Sequence, residues 1–132
     1  MAKVLGIGGF FFHCKDIDAT REWYSRVLGI KIDEMGGTMF SHGEAAEAFG
    51  KGAITVWAPF STDGDYFAPS TENHMINYIV DDLAGILEKV EAEGVAQAKP
   101  REDYDYGSFG WIMDPDGRKI ELWEPKGSYE AD

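Results

Sequence analysis

Hydrophobic positions along the chain follow a helical period in two places and a strand period around them. Between Asp16 and Leu28, Ala19, Trp23 and Val27 recur every four residues with Tyr24 and Leu28 beside them, which lays one apolar stripe along a helix. Asp16 or Asp18 suits the N-cap, where a carboxylate accepts from the free N–H groups of the first turn. Gly29 suits the position after the last turn, where glycine takes positive φ without steric cost. The segment from Asp82 to Glu93 repeats the pattern, with Leu83, Ile86, Leu87 and Val90 on one face and Gly94 as the stop. After each helix come three stretches of strand-like composition divided by Gly and Pro. They are Ile30 to Asp33, Thr38 to His42 and Ala53 to Trp57, then Val95 to Ala98, Ser108 to Met113 and Lys119 to Trp123. Asp114-Pro115-Asp116-Gly117 forms a tight turn before the last of these.

The two halves repeat one another. Ile54-Thr55-Val56-Trp57-Ala58-Pro59 matches Ile120-Glu121-Leu122-Trp123-Glu124-Pro125 in Ile, Trp and Pro, with a branched aliphatic at the third place. The same shift lays Phe12-His13-Cys14-Lys15-Asp16-Ile17 on Tyr78-Ile79-Val80-Asp81-Asp82-Leu83, so strand, acidic turn and helix start coincide. Each half therefore predicts a βαβββ module, about 3–60 and about 74–126, joined by an aperiodic linker over 61–73. A single helix covers one face of its sheet and leaves the other bare. Two modules, from one chain or exchanged between two, bring the bare faces together around a cleft. The expected fold class is α+β, two such modules forming a half-barrel in a single domain, as 132 residues allow.

Charge and cysteine usage narrow the setting. Against 12 basic residues stand 24 acidic ones, a net charge of −12, which repels a nucleic-acid backbone or an anionic membrane surface. One cysteine, Cys14, rules out an internal disulfide and gives no reason for an oxidising compartment. Lys3 and the apolar run from Val4 to Phe12 resemble a short signal peptide. They lack a small-residue cleavage site, however, and lead straight into His13-Cys14-Lys15-Asp16, which reads as a strand end. No run reaches the length of a membrane span. The expectation is a soluble cytoplasmic protein without nucleic-acid or membrane partners.

Several segments carry a family resemblance across nearly the whole chain. Gly8-Gly9-Phe10-Phe11-Phe12 leading to Asp16, Trp23-Tyr24 with Leu28-Gly29, and Asp114-Pro115-Asp116-Gly117 followed by Ile120-Glu121-Leu122 resemble the glyoxalase/bleomycin-resistance/extradiol-dioxygenase (vicinal oxygen chelate) superfamily. The resemblance implies paired modules around a concave site for sugar-, drug- or metabolite-sized ligands, often in a homodimer. It also implies a divalent metal held by one ligand on the first and one on the last strand of each module. Those positions fall on Gly9, Thr55, Met75 and Glu121, of which only Glu121 matches the usual ligand set. Glycine, a hydroxyl and a thioether are poor substitutes for imidazole and carboxylate, so no metal or other cofactor is expected. A divalent metal held by His74 and Glu121 is the alternative, and needs a one-residue slip to bring His74 to the cleft.

Strand alternation sorts the candidate site. Ile54, Val56, Ile120 and Leu122 point to the helices, leaving Thr55, Trp57, Glu121 and Trp123 for the cleft. Phe10, Phe12, Ile76, Tyr78 and Val80 likewise turn to the helices, while Phe11, His13, Met75, Asn77 and Ile79 turn inward. Trp111 and Met113 face the cleft, with Phe109 assigned to the helix side and Cys14 to the core. Aromatic walls with sparse polar anchors describe a small-molecule site, and suit an aromatic or cationic ligand with Glu121 as counter-charge. The same aromatic residues also serve as plain core filler. Glu121 reads either as a general base or ligand anchor, or as a carboxylate paired with a nearby Lys, Arg or Tyr. His13 is its candidate acid–base partner or an exposed strand-end residue. Tyr104 and Tyr106, in the segment from Arg101 to Ser108, and Tyr66 and Phe67 in the linker are loop aromatics that fold over the cleft or make a dimer contact.

Three functions fit. The first is a metal-independent module that binds and sequesters a drug-like or metabolic compound. The second is a metal-dependent glyoxalase-like lyase, isomerase or dioxygenase. The third is an interaction protein whose cleft is filled by its own side chains. The scaffold hosts many chemistries, so the site must decide.

Overall fold

The first amphipathic stripe forms helix α1, Ile17–Leu28, in a computed structural model that describes residues 3, 7, 9–50 and 53–126. Asp16 is the N-cap and accepts from the Ala19 amide at 3.1 Å, and Gly29 closes the helix at φ 70°. The strands and helix of the second module follow in the expected order: β1 (Ile76–Ile79), α3 (Leu83–Ala92), β2 (Gln97–Tyr104), β3 (Gly107–Met113) and β4 (Lys119–Pro125). They form one open sheet in the order β1-β4-β3-β2, with β1 parallel to β4 and the other pairs antiparallel. Trp23, Tyr24 and Val27 of α1 and Leu83 and Val90 of α3 meet Ile112, Ile120 and Leu122, so helices from both halves cover the same sheet face. The result is a single α+β domain. Among the described residues no helix is long and apolar enough to cross a membrane.

The first half departs from its expected strands. The stretches 30–33, 38–42 and 53–57 carry no ladder, and residues 42–49 form an additional helix, α2 (His42–Phe49). Its sequence supplies the reason. Glu44, Ala45, Ala46, Glu47 and Ala48 are strong helix formers, and Ser41 caps them by accepting from the Glu44 amide at 3.3 Å. Alternation marks a segment able to pair, and pairing also needs a partner edge. Met39, Val56 and Trp57 remain 88%, 66% and 78% exposed. Val4 and Gly8 of the first predicted strand lie outside the described residues.

Two assignments in the second half also change. The segment from Arg101 to Ser108 is a hairpin rather than a covering loop, with β2 running to Tyr104 and β3 starting at Gly107. Gly107 sits at φ 154°, and a Cβ there would collide with the Trp123 indole. Phe109 faces away from the helices, because Gly110 and Ile112 have the core parity and Phe109 shares that of Trp111.

The turn from β3 to β4 is held by the buried Asp114. Its Oδ1 accepts from the amides of Asp116 and Arg118, each at 2.9 Å, while Oδ2 accepts from Tyr24 Oη and Arg118 Nη1, each at 2.8 Å. The second guanidinium nitrogen, Nη2, donates to the carbonyl of His13. Removing one partner of a buried ion pair leaves an uncompensated charge, so Asp114→Ala is expected to lower stability by about 3–5 kcal/mol in urea denaturation. A loss below about 1 kcal/mol would show that the cluster is not structural.

Two core tyrosines link stability to alkaline pH. Burial, reinforced by Asp114, pushes the Tyr78 hydroxyl up to about 12 and that of Tyr24 higher still. The folded state therefore retains protons that the unfolded chain gives up near the ordinary tyrosine value of 10.0. This stabilisation is complete below that value and is lost as pH rises through about 12. Denaturant titrations should show stability falling across this window, with a smaller fall in Tyr78→Phe. A flat profile in the wild type would contradict the assignment.

Candidate functional site

One row of side chains crosses all four strands on the face away from the helices. Register pairs Lys99 with Trp111, Trp111 with Glu121, and Glu121 with Asn77, so β2, β3, β4 and β1 each contribute one member. Glu121 is 8% exposed, and a carboxylate so far from water needs donors. It has three. Asn77 Nδ2 donates to Oε1 at 2.7 Å, and Trp111 Nε1 to Oε2 at 2.8 Å. The hydroxyl of Tyr66, from the linker, donates to Oε2 as well.

Two ammonium groups flank this network. Lys99 Nζ lies 4.7 Å from the Trp111 ring centre and 5.8 Å from that of Tyr66, and pairs with Glu102 at 2.9 Å. The buried Lys119 precedes Glu121 by two residues on β4, and its Nζ is 5.0 Å from the Tyr66 ring centre and donates to the Tyr66 carbonyl at 2.6 Å. Burial, and then repulsion from Lys99, holds Lys119 below the usual lysine range. Burial and the bond to Glu121 raise the Tyr66 hydroxyl well above the usual phenol range, so it stays a neutral donor. The cations that an aromatic surface would attract from a ligand are thus already supplied by the protein.

Beyond Trp111 the surface is a continuous aromatic stack. Phe109 lies nearly parallel to Trp111 at 6.2 Å and to Trp123 at 6.1 Å between ring centres. Tyr104 and Tyr106 stack on each other at 5.2 Å and meet Phe109 edge-on at the hairpin end. Met113, opposite Lys119, continues the same face, and Met75 lies half-buried just before β1.

Other candidates lie elsewhere. Phe11 is 92% exposed, and Thr55 and Trp57 are exposed and do not join the Glu121 network. The His13 side chain is exposed, and its backbone carbonyl makes the contact with Arg118. Cys14 is half-buried. His74 lines a small crevice with Tyr24, Ile76 and Arg118 on the helix side, with Nε2 buried and lacking a hydrogen-bond partner. It is not brought together with Glu121.

Sequence parity finds Glu121, Asn77, Trp111 and Trp123, and the linker aromatics anticipate Tyr66. Lys119 is not among the expected site residues, and its signal is that it shares Glu121's strand and parity. Lys99 had no signal, because its place depends on irregular β2–β3 pairing with register shifts on either side of it.

A divalent ion fits this arrangement poorly. Both Glu121 oxygens already receive N–H or O–H hydrogens, and the two ammonium groups stand close by. Among the described residues no three His, Cys, Asp or Glu side chains converge on a metal-sized site.

Comparison with known proteins places the chain in a family. No curated protein matches the chain. Among solved structures, a genomically encoded fosfomycin resistance protein from Listeria monocytogenes superposes with a TM-score of 0.56 at 17% identity, covering 97% of this chain and 98% of its own. A protein of unknown function from Agrobacterium tumefaciens gives 0.52 at 20% identity, over 92% and 98%. A superfamily member from Sphaerobacter thermophilus is 30% identical over 37% of this chain and 40% of its own length, with a TM-score of 0.35. The first two similarities are of fold alone. The family model of the Glyoxalase/Bleomycin resistance protein/Dioxygenase superfamily matches residues 6–122, nearly the whole chain, and the chain belongs to that superfamily.

Proposed function

We propose that the protein is a metal-independent small-molecule-binding member of its superfamily, which sequesters a drug-like or metabolic compound against the outer face of β3 and β4. The observation that carries this reading is the buried Glu121 carboxylate, held by Asn77, Trp111 and Tyr66 inside an aromatic surface. In that setting the carboxylate is an oriented acceptor, and the stacked rings of Trp111, Phe109 and Trp123 supply apolar area. That a fosfomycin resistance protein from Listeria monocytogenes has the same fold supports a drug-like compound as the ligand. With a single cysteine and no internal disulfide to maintain, the reading places the protein in the cytoplasm.

Purified protein should contain no stoichiometric metal by plasma mass spectrometry, and added Zn²⁺, Ni²⁺, Mn²⁺ or Fe²⁺ should leave its melting temperature unchanged. About one metal per chain would replace this reading with lyase, isomerase or dioxygenase chemistry. A compound that raises the melting temperature should lose roughly tenfold in affinity in Glu121→Gln, the effect of weakening one charged hydrogen bond.

The reading includes a homodimer. Phe11, Met39, Val56 and Trp57 are large apolar side chains left exposed, and a second copy covers them. Light scattering should give twice the chain mass, and Trp57→Glu should shift the protein toward monomer. A monomeric wild type at micromolar concentration would remove the dimer from the proposal.

A further inference from the structure

Tyr66 belongs to the linker, a run of turns without helix or strand, yet its side chain closes a site built otherwise from the sheet. Its ring stacks on Phe60 at 5.6 Å and 21°, and meets Phe67 edge-on at 6.5 Å. Its hydroxyl engages the buried acceptor, and two ammonium groups face its π-cloud. Every contact that the sheet makes with this side chain is one that it would make with a free molecule of the same shape.

We propose that Tyr66 is a built-in surrogate ligand: the Glu121 site recognises an uncharged aromatic ring bearing a hydroxyl group, and such a compound enters by displacing the Tyr66 side chain. The inference rests on the sheet face being a small-molecule site, and it names the class of molecule. Charge selects neutrality from both sides, because an anionic ligand meets Glu121 and a cationic one meets Lys99 and Lys119. The hydroxyl is selected because a ring without a donor would leave the buried carboxylate short of one hydrogen bond. Exchange leaves Asn77 and Trp111 in place, since both are fixed by strand pairing with β4. Only the linker must move, after Lys119 releases the Tyr66 carbonyl.

The probe is 4-methylphenol, the tyrosine side chain as a free molecule, against 4-methylanisole, which keeps the ring and lacks the donor. Binding is read by tryptophan fluorescence and melting temperature in wild type, Tyr66→Phe and Tyr66→Ala. The expected order of affinity for 4-methylphenol is wild type, then Tyr66→Phe, then Tyr66→Ala, with roughly tenfold between the ends as the internal competitor is removed. If Tyr66→Ala does not fold, the step from wild type to Tyr66→Phe carries the test. Adding 4-methylphenol to wild type should also speed chymotryptic cleavage at Phe67 as the linker is expelled. Equal affinity across the variants would show that the compound does not take the place of Tyr66. Equal binding of 4-methylanisole and 4-methylphenol would overturn hydroxyl recognition and leave the small-molecule site standing. Failure of both compounds to bind any variant would overturn the inference and count against the site itself.

Discussion

The carboxylate of Asp114 ties the β3–β4 turn to helix α1 and to the Arg118 guanidinium. With four hydrogen bonds it closes the β3–β4 turn, anchors α1 through Tyr24 and fixes Arg118, whose guanidinium reaches the His13 carbonyl and lies 4.8 Å over the Phe12 ring. A buried carboxylate is tolerable only with its lone pairs occupied, so the turn, the helix and the N-terminal segment must reach their positions together. The turn also sets the phase of β4 against β3. Ile112 comes opposite Ile120 on the helix side, which forces Trp111 opposite Glu121 on the other.

That phase gives the two sheet faces different physics. On one, Ile112, Ile120 and Leu122 vanish beneath helices from both halves of the chain. On the other, Glu121 lies among the large rings of Trp111, Phe109 and Trp123 with little access to water, and the neighbouring strands and Tyr66 supply its donors. A two-residue periodicity and one turn thus place a carboxylate in an apolar surface. The network around it follows from the need to satisfy that carboxylate.

How much of this was legible depends on the range of the interaction. Helix α1 with its Asp16 cap and Gly29 stop, the elements of the second half and the shared parity of Asn77, Trp111, Glu121 and Trp123 on the face away from the helices all rest on local patterns, and all appear in the structure. Phe109 has the parity of Trp111, opposite to that of Ile112, and so faces away from the helices, contrary to the expectation. Helix α2 replaces the end of the strand expected over Thr38 to His42, because the Ser41 cap and its run of alanine and glutamate favour a helix locally. The Tyr66–Glu121 contact joins residues far apart in sequence through a linker with no period, so composition marks an aromatic loop without saying which ring lands where. For the expected first-half strands, alternation shows readiness to pair, whereas pairing itself needs a partner edge that the local pattern does not encode.

The charge distribution bears on what the site tolerates. In a chain with a net charge of −12, two lysines converge on one tyrosine ring beside the Glu121 carboxylate. Burial first, and then repulsion from Lys99, holds Lys119 below the usual lysine range, so gathering these charges is costly. The pair offsets the negative potential of Glu121 and, through Lys99, that of Glu102. On the proposed reading this is the electrostatic task a divalent ion would otherwise perform at the last-strand glutamate. With the carboxylate balanced by fixed ammonium groups and three neutral donors, the site gains little by admitting another charge. What remains for a ligand to offer is shape, aromatic area and a single well-placed hydrogen.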